Sequence, residues 1–104
     1  MATISYELTY SDAVTTVSEI CFGQISLSGQ MLKNDHDSQA KAYKNDSING
    51  VMCQNGMLYI SVKAQGLPGG SIELKVKVNG KAIGLYPIKI DSKNSYSLSS
   101  YFAI

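Results

Sequence analysis

The chain's single histidine lies in the sequence Asn34-Asp35-His36-Asp37, where two carboxylates flank an imidazole. Carboxylate oxygens and imidazole nitrogens are ligands of divalent cations, so a metal site is the first chemistry to consider. Alternating side chains on a flexible loop bring at most two oxygens to one ion, whereas calcium takes about 6 to 8. We therefore interpret this segment as a solvated polar loop and predict no metal.

Cys21 and Cys53 are the two thiols of the chain. Neither has a nearby histidine in the sequence, and zinc would lack enough cysteine and histidine ligands. Cys21 lies between Ile20 and Phe22 in a strand-like segment, so we predict a buried, unreactive thiol. In an exported sandwich the two cysteines could cross-link two sheets; because no leader is recognisable, we expect free thiols.

The glycine-rich segment Gly66 to Gly70 is the remaining candidate for a chemical role, as a phosphate-binding loop. It lacks the Lys-Ser/Thr pair of such a loop, and no helix pattern follows it, so we predict a turn. No nucleophile with a base and no acid–base pair is visible either. The sequence thus predicts no catalytic residue and no cofactor, and we expect that the protein is not an enzyme.

The amino-acid composition indicates which classes of partner the protein is expected to bind. Hydrophobic residues make up 44% and charged residues 16% of the 104 positions, and the net charge is +1. All nine basic residues are lysines, so nothing offers the bidentate fork that recognises phosphates or guanine, and we expect no nucleic acid. No window reaches the roughly 20 apolar residues of a membrane span, and no signal peptide is evident. We expect a cytosolically made, soluble, single domain over residues 1–104.

The stretch SIELKVKVNGKAIGLYPIKI, residues 71 to 90, predicts a β-hairpin. Its first half alternates apolar and polar side chains with the period of two that is typical of a half-buried strand. Asn79-Gly80 favours a type I′ turn because both residues tolerate positive φ. This turn sets Val78 opposite Lys81 and Leu74 opposite Leu85. The isoleucines after Pro87 change phase, which indicates a bend, a bulge or a crossing to a second sheet.

Alternation predicts four further strand regions: Ile4 to Tyr10, Val14 to Leu27, Met57 to Ala64, and Tyr96 to Ile104. A phase slip at Gly23-Gln24 predicts a bulge or two strands that meet at a corner. We interpret residues 33–50 as a mobile polar loop or a short edge strand around Ala40 to Tyr43, and we predict turns at Asn49-Gly50 and Asn55-Gly56. Seven to eight short strands without a useful amphipathic helix predict an all-β fold, an immunoglobulin-like antiparallel β-sandwich.

Exposed aromatic residues are the remaining candidates for function. The chain has seven tyrosines and no tryptophan, and Tyr59, Tyr86 and Tyr101 fall in the outward phase of their strands. These rings either cover an outer sheet face or form a partner surface, because tyrosine combines a large contact area with a hydrogen-bonding tip. Met31-Leu32 and Val51-Met52 are further candidate contacts for a protein partner.

The order of features from Leu58 onward resembles a group of small immunoglobulin-like domains. It comprises the strand LYISVKAQ, a glycine-rich turn, the hairpin SIELKVKVNGKAI and the final strand SYSLSSYFAI. This order is similar to the periplasmic domains of the mycobacterial MmpS proteins and to related domains of gut bacteria. The central polar stretch is longer here than in that pattern, and the membrane anchor of the MmpS group has no counterpart in this sequence.

A small immunoglobulin-like sandwich also resembles the auxiliary, or decoration, capsid proteins of tailed bacteriophages, including crAss-like phages. The resemblance implies a structural virion accessory protein, made in the host cytoplasm, that binds the major capsid protein or neighbouring virion subunits in many copies and reinforces or decorates the capsid lattice. That family is defined by shape and role, so it assigns no site residue. The rival is a bacterial surface or secreted carbohydrate-binding or adhesion module, which the missing tryptophan and poor cation site disfavour.

Overall fold

The protein folds as an antiparallel β-sandwich of two sheets, which confirms the predicted fold class. The structure is a computed structural model and describes residues 1–83, 88–89 and 94–104. The elements in these residues are β1 (Ala2–Tyr10), β2 (Val14–Phe22), β3 (Ile25–Leu27), α1 (Gly29–Asn34), β4 (His36–Asp37), β5 (Ala42–Val51), β6 (Met57–Gly66), β7 (Ser71–Val78), β8 (Lys81–Ile83), β9 (Ile88–Lys89) and β10 (Ser95–Ala103).

Sheet A has the strand order β4-β5-β1-β7-β8, and β9 also pairs with β7. The predicted hairpin is confirmed up to Ile83, with Val78 opposite Lys81 across an Asn79-Gly80 turn in which both residues have positive φ. β9 then pairs Ile88 with Ile72, one residue out of step with the hairpin, so the predicted phase change is present. Leu85 and Pro87 lie outside the described residues.

Sheet B has the strand order β10-β6-β2-β3. The phase slip at Gly23-Gln24 is neither a bulge nor a corner: it is a two-residue hairpin turn that pairs Phe22 with Ile25. Gly23 has a φ of 59°, which a tight turn of this kind requires and glycine tolerates. The turn at Asn55-Gly56 is also confirmed, with φ values of 54° and 72° between the bridged residues Gln54 and Met57.

The loop prediction for residues 33–50 is wrong from Ala42 onward, because β5 is a ten-residue strand paired with β1. The register advances three residues on β5 for two on β1 at two places, from Val51 to Ile48 and from Ile48 to Asn45. These bulges space the inward residues by three and hide the period of two. Asn49-Gly50 is therefore no turn; Gly50, with a φ of 71°, lies in the bulge.

The core lies between the two sheets, and its inward residues follow the predicted alternation. Ile4 and Leu8 of β1 and Ile60 and Val62 of β6 are fully buried. The ring of Phe22 packs 5.3 Å from that of Tyr6, which ties sheet B to sheet A at the centre. Large apolar side chains removed from water in this way are the main stabilising contribution to a small sandwich.

The helix α1 was not expected from the sequence. Its six residues follow β3 and cover the side of the core with Leu32, which is 4% exposed. It is the only helix in the described part of the chain, and it is too short and too polar to cross a membrane.

Candidate functional site

The side chains of Asp35, His36 and Asp37 point to three different sets of partners. Asp35 accepts hydrogen bonds from the Tyr6 hydroxyl, at 2.8 Å, and from the Asn45 amide, at 3.1 Å. Asp37 accepts from the backbone N–H groups of Gln39 and Ala40. Residues 35–37 are therefore held in specific contacts, and the interpretation of a merely solvated loop is wrong. Within the described ranges, no three metal-ligating side chains converge.

His36 belongs to an aromatic cluster at the β4 edge of sheet A. Its ring stacks on Tyr43 with 4.4 Å between centroids, and its Nε2 lies 2.6 Å from the Tyr10 hydroxyl. Tyr10 and Tyr43 come from β1 and β5, so the neighbouring strands bring the three rings together. The sequence pattern does not reveal this cluster, because the bulges of β5 hide its period of two. The two tyrosines engage the imidazole through a stacking contact and a hydrogen bond, so the cluster ties β4 to β5 and β1.

The Tyr6 hydroxyl is a polar group carried into the core. Tyr6 is 2% exposed, and its hydroxyl donates to Asp35 at the boundary of the core. Burial, together with the hydrogen bond to Asp35, raises the pKa of Tyr6 far above its usual range. This phenol therefore stays protonated at any physiological pH and acts as a donor that anchors the segment after α1.

Cys21 faces outward from sheet B and is only partly buried, which corrects the prediction of a buried thiol. Its neighbours are Glu19 and Ser26, and the Ser26 hydroxyl donates to the Glu19 carboxylate at 2.9 Å. Partial burial raises the pKa of the Cys21 thiol, whereas the hydrogen bond from Ser26 lowers the pKa of Glu19. A thiol held in its protonated form is a poor nucleophile. Cys53 packs against the core, and both thiols are free.

Two of the predicted contact residues lie side by side on the outer face of sheet B. Tyr59 of β6 is directly opposite Tyr101 of β10, with ring centroids 5.2 Å apart. The Tyr59 hydroxyl lies 2.6 Å from the hydroxyl of Ser99, which fixes its ring. Tyr101 is 59% exposed, so much of its ring is free for contact with another molecule.

A shallow hollow of about 220 Å³ adjoins these rings. It is lined by Gly23, Gln24, Met52, Gln54, Met57, Tyr59 and Tyr101. Met52 is 48% and Met57 38% exposed, and no lining side chain is charged. We call the four large residues Met52, Met57, Tyr59 and Tyr101 the tyrosine patch.

The hairpin turn between β2 and β3 shapes one wall of this hollow. The Gln24 side chain donates to the carbonyl oxygen of Gly50 at 2.7 Å and accepts from the backbone N–H of Met52 at 2.8 Å. One amide thus joins the turn of sheet B to the end of β5 in sheet A. Because the Met52 backbone N–H is held by Gln24, the backbone of Met52 is positioned beside the tyrosines.

Comparisons with protein families, with curated proteins and with solved structures found no match. Nothing is therefore carried over from a relative, and function has to be argued from the surface of this chain alone.

Of the other predicted contact residues, Met52 belongs to the tyrosine patch, whereas its neighbour Val51 is fully buried, so its prediction as a contact is wrong. Leu32 is a core residue of α1, so its prediction as a contact is wrong. Met31 is 55% exposed, but no residue of α1 lines the hollow. Tyr86 lies outside the described residues. Met57 and Gln24 were missed, although the Asn55-Gly56 turn already placed Met57 opposite Gln54.

A larger concavity of about 540 Å³ lies on the outer face of sheet A. Six of its twelve lining residues are lysines or acids of β1, β5 and β7, and Ser5, Ala82 and Ile83 line it as well; the Nζ of Lys75 lies 3.7 Å from a carboxylate oxygen of Glu73. Ligand pockets are usually apolar with a few well-placed polar groups, so an open sheet face of mixed charge fits that description poorly. The tyrosine patch is the better candidate for a functional surface.

Proposed function

We propose that the protein is a non-catalytic structural subunit that binds another protein through the tyrosine patch. One observation carries this proposal: four large, partly exposed tyrosine and methionine side chains surround a hollow without a charged side chain. Tyrosine and methionine are enriched in protein interfaces, and charged residues are depleted from interface centres. The hollow is smaller than the roughly 300 Å³ of ordinary small-molecule pockets, which favours a protein partner.

The partner that we propose is the major capsid protein of a tailed phage, and the place of action is the outside of the virion. This finer step rests on the resemblance of a small sandwich to decoration proteins, and a shared fold does not by itself imply a shared function. Attachment in many copies to a repeating lattice would let a small interface suffice, because neighbouring contacts raise the apparent affinity.

The test is co-purification of the tagged protein from its native source, followed by mass spectrometry and negative-stain microscopy. Recovery of uniform particles that contain a major capsid protein supports the proposal. Recovery as a lone chain, or together with envelope glycans, contradicts it.

The variant Tyr101→Ser links the result to the tyrosine patch. We expect it to keep its fold, because Tyr101 is exposed, and to weaken retention of the partner by about tenfold or more. Leu67→Ser is the matched control, since Leu67 is 62% exposed and does not line the hollow. Equal losses in both variants would contradict a role for the patch. Sugar binding on a glycan array that Tyr101→Ser abolishes would favour the carbohydrate-binding rival.

A further inference from the structure

β10 forms one edge of sheet B and is the longest edge strand of the sandwich. The strands at the other three ends of the two sheets are β3, β4 and β8, with two or three residues each. β10 has nine residues and pairs with β6 over its whole length without a register shift. In the described part of the chain, no other strand pairs with it.

Two hydrogen bonds at the ends of β10 show which of its residues direct their backbone groups to the free side. The Gly66 N–H donates to the Asn94 carbonyl, and the Ile104 N–H donates to the Gly56 carbonyl, both at 3.0 Å. In an antiparallel pair, hydrogen-bonded positions recur at every second residue. Even-numbered residues of β10 therefore bond to β6, whereas odd-numbered residues direct their N–H and C=O groups away from it. These residues are Ser95, Ser97, Ser99, Tyr101 and Ala103.

The free edge lacks the features by which monomeric proteins block strand pairing. Such features are charged side chains, prolines, bulges and short length. The sequence from Ser95 to Ile104 contains no charged residue and no proline, and β10 is neither short nor bulged. The strand thus presents an unprotected row of hydrogen-bonding groups.

The inner face of β10 is also incompletely covered. Its inward side chains Tyr96, Leu98 and Phe102 are only partly buried. Their neighbours on β6, among them Leu58 and Val62, are fully buried. Apolar side chains therefore reach the rim of the sandwich at the same edge where the backbone groups are free.

We propose that β10 pairs antiparallel with β10 of a second copy of this chain, about a two-fold axis through Ser99. This register bonds Ser99 to its own equivalent, Ser97 to Tyr101, and Ser95 to Ala103, so every outward-directed residue gains a partner. It also sets Tyr96 opposite Phe102 on the inner face, at the closer non-hydrogen-bonded positions where cross-strand aromatic pairs stabilise a sheet. Sheet B becomes continuous across the dimer.

A second copy fits this edge because the strand is complementary to itself. Two uncharged strands meet without electrostatic repulsion, and the two-fold axis matches donors with acceptors along the whole strand. The closed pair uses up both free edges, so the assembly stops at two chains. The dimer does not depend on which partner binds the tyrosine patch.

The first test is the mass in solution, measured by light scattering and analytical ultracentrifugation over a range of concentrations. We expect the wild-type chain to reach twice its own mass. Ser99→Pro removes an N–H directed away from β6, so it leaves the β6 pairing intact, and we expect the dissociation constant to rise about tenfold or more. Ser99→Thr keeps both the N–H and the hydroxyl and is expected to remain dimeric. Circular dichroism checks the fold of each variant.

The second test fixes the register by disulfide trapping in a Cys21→Ser, Cys53→Ser background. Paired residues at hydrogen-bonded positions have Cα atoms about 5.5 Å apart, a separation that a disulfide spans. Ser99→Cys should therefore form a covalent dimer under mild oxidation. Ser97→Cys is the control, because the two copies of residue 97 would lie about 14 Å apart, four residues along the strand and one strand across.

Four results would overturn the proposal, and three of them concern this chain alone. They are a wild-type chain that stays monomeric at all concentrations, a dimer that Ser99→Pro leaves unchanged, and trapping through residue 97 in place of residue 99. A strand from another protein that occupies the edge of a monomeric chain would also overturn it.

Discussion

At the scale of single residues, Tyr6 shows how the sandwich accommodates a polar group at its centre. Its ring packs 5.3 Å from that of Phe22, and its hydroxyl reaches the Asp35 carboxylate. A buried hydroxyl without a hydrogen-bond partner would destabilise the fold, so Asp35 stabilises the folded state by accepting this hydrogen bond. Asp35 also accepts from Asn45, which links β1, β5 and the segment after α1.

Replacing Tyr6 with phenylalanine should destabilise the protein in a pH-dependent way. At neutral pH we expect Tyr6→Phe to lower the free energy of unfolding by about 1–2 kcal/mol, because Asp35 loses a donor. The folded state raises the pKa of Tyr6, so above about pH 10 the unfolded chain binds fewer protons and wild-type stability falls as pH rises. The difference between wild type and variant should therefore shrink. Urea unfolding at about pH 7 and about pH 11 measures it.

Tyr101→Phe is the control for this experiment, because it removes an exposed tyrosine hydroxyl. We expect it to change the free energy of unfolding by less than about 0.5 kcal/mol at either pH. A Tyr6→Phe difference that stays constant or grows with pH would contradict the contribution assigned to the buried phenol.

At this scale, the sequence predicts which side chains of a strand face the core, but not which hydrogen-bond partners they meet. The alternation of β1 correctly placed Ile4, Tyr6 and Leu8 on one buried face. It could not reveal that the Tyr6 hydroxyl meets Asp35, which follows a short helix and lies 29 positions further along the chain. Such a contact depends on tertiary packing, which local periodicity does not encode.

At the scale of elements, the tight turn between β2 and β3 is the most constrained connection of sheet B. Gly23 has a φ of 59°, and a Cβ atom at this position would lie 2.7 Å from the Met52 carbonyl oxygen and 3.1 Å from Cγ1 of Val51. The nearest obstacle is backbone and cannot rotate away. The turn and the end of β5 therefore pack closely only because residue 23 has no side chain.

The substitution Gly23→Ala should be much more harmful than the same change at Gly56. Both glycines have positive φ, but a Cβ atom at Gly56 meets nothing within 4 Å. We expect about 1–2 kcal/mol of destabilisation for Gly56→Ala, from the backbone conformation alone, and about 2–5 kcal/mol for Gly23→Ala, which adds the steric clash. Chemical denaturation of both variants measures the two values. Equal values would show that the turn moves to accept a side chain.

Turn dipeptides were reliable guides to elements, whereas bulges were not visible in the sequence. Asn55-Gly56 forms the predicted turn, and Asn79-Gly80 forms the predicted hairpin turn. Asn49-Gly50 has the same composition and lies inside β5, because its positive φ serves a bulge. The two bulges of β5 shift its phase twice, and this shift turned a ten-residue strand into an apparent loop.

At the scale of the whole molecule, most connections cross from one sheet to the other. β1 lies in sheet A, β2 in sheet B, β5 in sheet A, β6 in sheet B and β7 in sheet A. Alternation indicates which face of a strand is buried, but both sheets bury one face, so the same pattern fits either. The fold class could thus be predicted from the sequence, whereas strand order, and with it the tyrosine patch and the β10 edge, could not.

Truncating an aromatic side chain should destabilise the protein more at the centre of the core than at the rim of the sandwich. Phe22 is fully buried at the centre, whereas Phe102 is only partly buried at the β10 rim. We expect Phe22→Ala to lower the free energy of unfolding by about 3–5 kcal/mol, a large share of the 5–15 kcal/mol typical of a small domain. Phe102→Ala should cost about half as much or less in a monomer, because less apolar area is removed from water.

Both truncations are best measured in the Ser99→Pro background, so that pairing between chains does not contribute. In the wild-type background at high concentration, Phe102→Ala should become more harmful, since the proposed dimer sets Phe102 against Tyr96 of the second copy. Phe22→Ala should show no such increase, because β6 separates the strand of Phe22 from the shared edge. A Phe102→Ala effect that is the same at all concentrations and in both backgrounds would mean that the rim of sheet B stays open to solvent.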